Sequence, residues 1–67
     1  MSKYSISIQY DGSDNIYVAY VPELPGCMAH GKTPEDAMKE VKTAIELWIE
    51  DAKENKEYIP QPIMYAG

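Results

Sequence analysis

Apolar and polar side chains alternate along the first ten residues. The apolar or aromatic members are Tyr4, Ile6, Ile8 and Tyr10, and the polar residues between them are Ser5, Ser7 and Gln9. A period of two places these sets on opposite faces of an extended chain. The pattern predicts a β-strand from Tyr4 to Tyr10 with one buried face and one solvated face.

Two further strands are predicted beyond a polar turn. The turn, D-G-S-D-N at residues 11–15, is rich in residues that favour tight turns. Residues 16–21, I-Y-V-A-Y-V, are apolar on both faces and mostly β-branched or aromatic, which is typical of a central strand. We therefore expect a hairpin whose second strand is the inner one. A short third strand is expected at residues 27–31, C-M-A-H-G.

The next segment predicts an amphipathic helix from Pro34 to about Asn55. Thr33 is a suitable N-cap, Pro34 suits the first helical position, and Asp36 follows the cap by three residues, as in a capping box. At about 100° per residue, the apolar side chains share one broad stripe. They are Ala37, Met38, Val41, Ala44, Ile45, Trp48, Ile49 and Ala52.

The carboxyl-terminal segment, Y-I-P-Q-P-I-M-Y at residues 58–65, contains two prolines that end the helix. It fits an edge strand or an extended tail. The sequence thus predicts an α+β fold of order β-β-β-α-β or β-β-β-α. In this fold an antiparallel sheet of three or four strands carries one helix on one face. Residues 1–67 are expected to form a single domain.

The short chain predicts self-association. A chain of 67 residues can bury one small core, which alone gives marginal stability. The single cysteine and single histidine supply neither an internal disulfide nor a structural zinc site. A homodimer or homotetramer is the remaining way to add stability.

Net charge and hydropathy limit the kinds of partner that the protein can bind. The formal net charge is −5 and the chain contains no arginine, which argues against direct nucleic-acid binding and favours a basic protein partner. No apolar run approaches the roughly 18 residues of a membrane span. The free thiol fits a reducing compartment, so we expect an acidic cytoplasmic protein with no membrane partner.

The stretch V-P-E-L-P-G-C, residues 21–27, raises the question of a reactive thiol. Cys27 would need a nearby base or cation, and the single candidate base is His30. An odd separation along a strand places the two side chains on opposite faces. The expectation is a small buried hydrophobic residue at Cys27, an exposed or edge-strand residue at His30, and a corner shaped by its prolines and Gly26.

Three stretches together resemble the HicB antitoxin family over nearly the whole chain: Y-V-A-Y-V-P-E-L-P-G-C, A-H-G-K-T-P-E-D-A and V-K-T-A-I-E-L-W-I-E. The resemblance implies a partial ribonuclease H-like fold that lacks the working site of that enzyme. It also implies an antitoxin that binds and silences HicA, a small basic toxin that cleaves messenger RNA with a catalytic histidine. Many relatives carry a second, carboxyl-terminal DNA-binding domain, which is not expected in this chain.

A metal-dependent nuclease would need several carboxylates converging on one or two divalent ions. The candidate acids lie in the hairpin turn, the corner and the helix start: Asp11, Asp14, Glu23, Glu35 and Asp36. The spacing of these acids along the sequence does not predict that their carboxylates converge on one ion. We therefore expect no enzyme activity, no catalytic residue, no metal site and no cofactor.

The outward side of the helix carries the candidate partner-binding residues. Glu46, Glu50 and Glu54 recur at a spacing of four, and Leu47 lies well off the apolar stripe. Such a face is either a solvated acidic surface with one exposed leucine, or a site that attracts a basic protein and desolvates Leu47. The free edge of the sheet is a second candidate surface.

Two functional hypotheses follow. The first is an antitoxin that sterically blocks a HicA-like toxin and performs no chemistry. The alternative is a stand-alone oligomeric module that binds another protein or a small ligand.

Overall fold

The computed structural model describes residues 4–61. In chain order the elements are β1 (Ser7–Asp11), β2 (Ile16–Tyr20), β3 (Met28–Gly31) and α1 (Pro34–Glu54). The strands form one sheet of order β1-β2-β3, with both neighbouring pairs antiparallel. This arrangement confirms the predicted α+β fold and the central position of the second strand.

The hairpin between β1 and β2 is closed by side chains of its turn. The main-chain N–H of Ser13 donates to Oδ1 of Asp11 over 3.0 Å, and the Tyr10 hydroxyl donates to Oδ1 of Asn15 over 2.8 Å. Asn15 has a φ of 54°, a left-handed conformation that asparagine tolerates. The rings of Tyr10 and Tyr17, which are paired across the strands, have centroids 5.1 Å apart.

The first strand begins at Ser7, so the predicted start at Tyr4 is wrong. Strand pairing stops at Ser7 because its partner, Tyr20, is followed by a corner in which the chain turns away from β1. The main-chain N–H of Ser5 donates instead to the carboxylate of Glu23, over 3.0 Å to Oε2 and 3.2 Å to Oε1. A side chain thus replaces the strand partner that this amide lacks.

The corner V-P-E-L-P-G-C consists of two consecutive tight turns. Leu24 N–H donates to the Val21 carbonyl over 3.1 Å, and Cys27 N–H donates to the Leu24 carbonyl over 3.0 Å. In the second turn Pro25 is followed by Gly26 with a φ of 78°, as a type II turn requires. Val21 N–H closes the corner by donating to the Cys27 carbonyl over 3.0 Å. Leu24 is fully buried by this geometry.

The helix begins and ends close to its predicted bounds. Oγ1 of Thr33 accepts a hydrogen bond of 3.0 Å from the main-chain N–H of Asp36, which confirms the N-cap. At the other end Asn55 is the C-cap, and Lys56 has a φ of 54°. Glu57 N–H donates to the Ala52 carbonyl over 2.8 Å, as in a Schellman motif that uses lysine where glycine is common.

The predicted apolar stripe packs on the sheet. Ala37, Val41, Ile45 and Ala52 are buried, and the other four stripe residues are partly buried. The helix packs most closely on β3, then on β2, and least on β1. Among residues 4–61 the remaining buried core comes from the central strand and the corner: Ala19, Val21, Leu24 and Cys27.

Gly31 allows the end of β3 to approach the first turn of the helix. A Cβ atom built on Gly31 would lie 2.6 Å from the main-chain nitrogen of Ala37 and 2.8 Å from the carbonyl carbon of Asp36. These are main-chain atoms, which cannot move aside as a flexible side chain can. The absence of a side chain at this position therefore sets how closely helix and sheet can pack.

The chain beyond the helix returns towards the start of β1. Residues 57–61 form no regular element, and the Tyr4 hydroxyl donates to the Pro60 carbonyl over 2.6 Å. The predicted last strand spans residues 58–65. Its part up to Gln61 is not a strand, and the rest lies outside the described residues.

We predict that Gly31→Ala destabilises the fold by about 1–3 kcal/mol, because the added methyl group collides with the main chain of α1. Gly12→Ala is the matched control, since its nearest neighbour would be a Tyr10 ring carbon at 3.8 Å. The control should change stability by less than about 0.5 kcal/mol. Urea unfolding followed by circular dichroism measures both variants, and equal stabilities would contradict the close approach.

We predict that Trp48→Phe lowers the free energy of unfolding by about 1 kcal/mol. The indole Nε1–H donates over 3.0 Å to the Pro25 carbonyl, and phenylalanine keeps the ring but removes this donor. Tyr58→Phe is the control, because Tyr58 is 79% exposed and its hydroxyl makes no such contact with the corner. If the two variants unfold at the same urea concentration, the bond between helix and corner does not stabilise the fold.

Candidate partner-binding surfaces

The outward side of α1 presents an apolar side chain among carboxylates. Leu47 is 61% exposed, and Glu46, Glu50 and Glu54 are exposed as well. None of these three carboxylates forms an ion pair or hydrogen bond with another residue of the described range 4–61. They therefore remain available to a positively charged partner.

The four predicted residues share one side of the helix. At 3.6 residues per turn, Leu47 lies on the same flank of the helix as Glu54, seven positions later, and close to Glu50. Glu46 is about 100° away from Leu47 around the helix axis, towards the flank that carries Lys42. All four therefore lie within an arc of about 100°, with Glu46 and Leu47 at its two ends.

Further acids surround Leu47 on the same flank. Asp51 follows it by one helical turn and Glu40 precedes it by two turns, and both are exposed. We call Glu40, Leu47, Glu50, Asp51 and Glu54 the acidic flank. Its arrangement can attract a basic surface at a distance and bury one leucine on contact.

A groove that the sequence pattern did not predict lies on the other flank of the helix. It has a volume of about 540 Å³ and lies between Ile8 of β1 and Met38 of α1, and Glu35, Lys39 and Lys42 also line it. The groove exists because the helix packs over β3 and β2 and leaves β1 least covered. Its lining carries two lysines and one carboxylate, whereas the charged residues of the acidic flank are all carboxylates.

Cys27 and His30 occupy different environments. Cys27 is 4% exposed, and burial raises the pKa of its thiol, which keeps the sulfur protonated and poorly nucleophilic at neutral pH. His30 is exposed on β3, one strand position beyond the partly buried Ala29. The structure thus confirms both predictions, of a buried apolar cysteine and an exposed histidine.

The acids considered for a metal site serve local roles or face solvent. Glu23 accepts the Ser5 amide, Asp11 accepts the Ser13 amide, and Asp14 is exposed in the turn. Within the part of the chain that the structure describes, no three His, Cys, Asp or Glu side chains gather around a point where an ion could bind. No helix in that part is both long enough and apolar enough to cross a membrane.

Known protein sequences match most of this chain. Residues 4–66 match the family described as HicB_like antitoxin of bacterial toxin-antitoxin system. A UPF0150 protein of Thermoplasma acidophilum is 44% identical over 59 residues, which cover 88% of this chain and 84% of the relative. A UPF0150 protein of Archaeoglobus fulgidus is also 44% identical over 59 residues, with 85% and 84% covered.

One solved structure extends the comparison to three dimensions. The crystal structure of the N-terminal domain of Burkholderia pseudomallei antitoxin HicB aligns with a TM-score of 0.68 at 28% identity. The alignment covers 91% of this chain and 66% of that chain. The sheet, the helix and the family match agree with one another, and the chain therefore belongs to the HicB-like antitoxin family.

Proposed function

We propose that this protein is an antitoxin that silences a small, basic, mRNA-cleaving toxin of the HicA type by covering its RNA-binding surface. Family membership supports a toxin as the partner. The observation that carries the choice of surface is the exposure of Leu47, at 61%, among carboxylates without partners in the described chain. The protein acts in the cytoplasm and performs no chemistry of its own.

Charge complementarity supports the acidic flank as the contact surface. A toxin that binds RNA must present lysine or arginine to phosphate groups. Carboxylates of the acidic flank can occupy the same positions on the toxin and thus compete with RNA for them. The attraction accelerates encounter, whereas burial of Leu47 slows dissociation.

The protein is also proposed to self-associate, as a homodimer or homotetramer. The support is the small core: among residues 4–61, eight side chains are buried, and three of those are alanines. Association would remove further apolar surface from water and add stability that a chain of 67 residues lacks.

The free edge of β1 is a second candidate surface for the toxin. The strand order β1-β2-β3 leaves one side of β1 without a strand partner among the described residues. An extended segment of another protein can pair with such an edge through main-chain hydrogen bonds. Toxin binding at the edge of β1 would depend little on the charge of the acidic flank. Reversing charges on the flank therefore tests which of the two surfaces the toxin contacts.

We predict that reversing Glu50 and Glu54 to lysine slows association with a basic toxin about tenfold at low salt. The effect should shrink at physiological ionic strength, where screening limits the field to about 8 Å. The control reverses Asp14 of the hairpin turn and Glu35 of the first helical turn, two exposed acids outside the flank, so that net charge changes equally. Association kinetics at two salt concentrations measure both double variants, with circular dichroism to confirm the fold. Equal rates for the two variants would show that total charge, and not this flank, directs binding.

We predict that Leu47→Ala accelerates dissociation from the toxin about tenfold and leaves association unchanged, because a desolvated contact is lost. The variant should fold normally, since Leu47 is largely exposed in the free protein. If Leu47→Ala and the Glu50/Glu54 double reversal both bind like the parent, the edge of β1 becomes the leading surface.

We predict that Cys27→Ala preserves binding to the toxin. The substitution should cost about 1–3 kcal/mol of stability, as expected for a small buried side chain. The parent thiol should react slowly with alkylating reagents at neutral pH, because burial raises its pKa. Loss of binding in a folded Cys27→Ala variant would show that the thiol takes part in function.

A further inference from the structure

The groove between β1 and α1 has an apolar floor that belongs to the folded core. Ile8 and Met38 are partly buried and pack against the core cluster, and both also line the groove. Pro34, the first residue of the helix, adds a third apolar side chain. The floor is therefore formed before any ligand binds. The groove volume of about 540 Å³ falls within the roughly 300–1,000 Å³ that is typical of small-molecule sites.

The charge of the groove is opposite in sign to that of the whole chain. Among the residues that the structure describes, its charged lining consists of Lys39, Lys42 and Glu35, so that two positive charges and one negative charge leave +1. The formal net charge of the chain is −5. A site of this kind matches a ligand with one negative charge. A ligand with two negative charges would exceed the charge of the lining and would be repelled by Glu35.

The two lysines of the groove are available to such a ligand. Glu35 precedes Lys39 by four residues and Glu46 follows Lys42 by four, a spacing at which ion pairs can form along a helix. Neither lysine forms an ion pair with another residue of the described range 4–61. A lysine can lay its aliphatic stem along an apolar surface and keep its ammonium group in water. Lys39 and Lys42 can thus extend the apolar floor and also bind an anion.

We propose that the groove binds an apolar monocarboxylate, a ligand with a hydrocarbon body and a single carboxylate group. The hydrocarbon body lies on Ile8, Met38 and Pro34, where it removes apolar surface from water. The carboxylate accepts charge-assisted hydrogen bonds from the ammonium groups of Lys39 and Lys42 and so sets the orientation of the ligand. This site is separate from the acidic flank, and the inference does not depend on the toxin.

The shape of the site sets the expected affinity. A groove covers one side of a ligand and leaves the other side in water, so binding is weak. For decanoate, a ligand of about a dozen non-hydrogen atoms, we expect a dissociation constant of about 1 mM. Hexanoate has the same carboxylate and a shorter hydrocarbon chain. It should bind at least about tenfold more weakly, because it buries less apolar surface.

The test is a titration of the full chain with sodium decanoate, followed by the NMR chemical shifts of its backbone amides. The amides of Ile8 and Met38 should shift and saturate together. Replacing both groove lysines, Lys39→Gln and Lys42→Gln, should raise the dissociation constant about tenfold, because the carboxylate loses its charged donors. The matched control, Lys53→Gln with Lys56→Gln, removes the same charge from two exposed lysines near the other end of the helix. It should leave the dissociation constant unchanged.

Circular dichroism confirms that both double variants fold, and no toxin is present, so the result is independent of the proposed antitoxin function. The absence of amide shifts up to about 10 mM decanoate overturns the site. Shifts centred outside the groove overturn its location. Equal weakening by the two double variants overturns the role of Lys39 and Lys42 and assigns the effect to net charge. Decyltrimethylammonium has the same hydrocarbon chain and a positive charge. If it binds in the groove as tightly as decanoate, the proposed selectivity for a carboxylate is wrong.

Discussion

The packing of one helix on one face of the sheet is the contact on which the rest of this molecule depends. It buries Val41 and Ile45 of the helix against Ala19 of the central strand, and it fixes the corner through Trp48. Because a single helix covers a single face, the opposite face and the outward side of the helix both remain at the surface. The acidic flank, which is proposed to bind the toxin, lies on that outward side of the helix.

Two local features determine how the helix approaches the sheet. Gly31 removes a side chain where β3 meets the first helical turn, and the N-cap at Thr33 starts the helix two residues later. The corner then positions Leu24 beneath the helix and offers the Pro25 carbonyl to Trp48. The stretch V-P-E-L-P-G-C is thus a structural element. Its cysteine is part of the buried core and is not a reactive thiol.

The elements set by local pattern were predictable from the sequence, and the features set by distant contacts were not. Helix bounds follow from the cap and the apolar stripe, and the exposure of Leu47 follows from its position off that stripe. The late start of β1 follows from the corner after Tyr20, where Glu23 accepts the Ser5 amide from 18 residues away. The groove beside Met38 and the close approach at Gly31 arise from the position of the helix relative to the sheet. The apolar pattern of the sequence does not predict that position.

The indole hydrogen bond between helix and corner has a spectroscopic consequence. Trp48 is the single tryptophan of the chain, and its ring lies between the helix and the carbonyl of Pro25. Its fluorescence therefore reports on the contact between helix and corner without an added label. The indole is not part of the acidic flank, so a change in its emission during unfolding follows the separation of helix and corner.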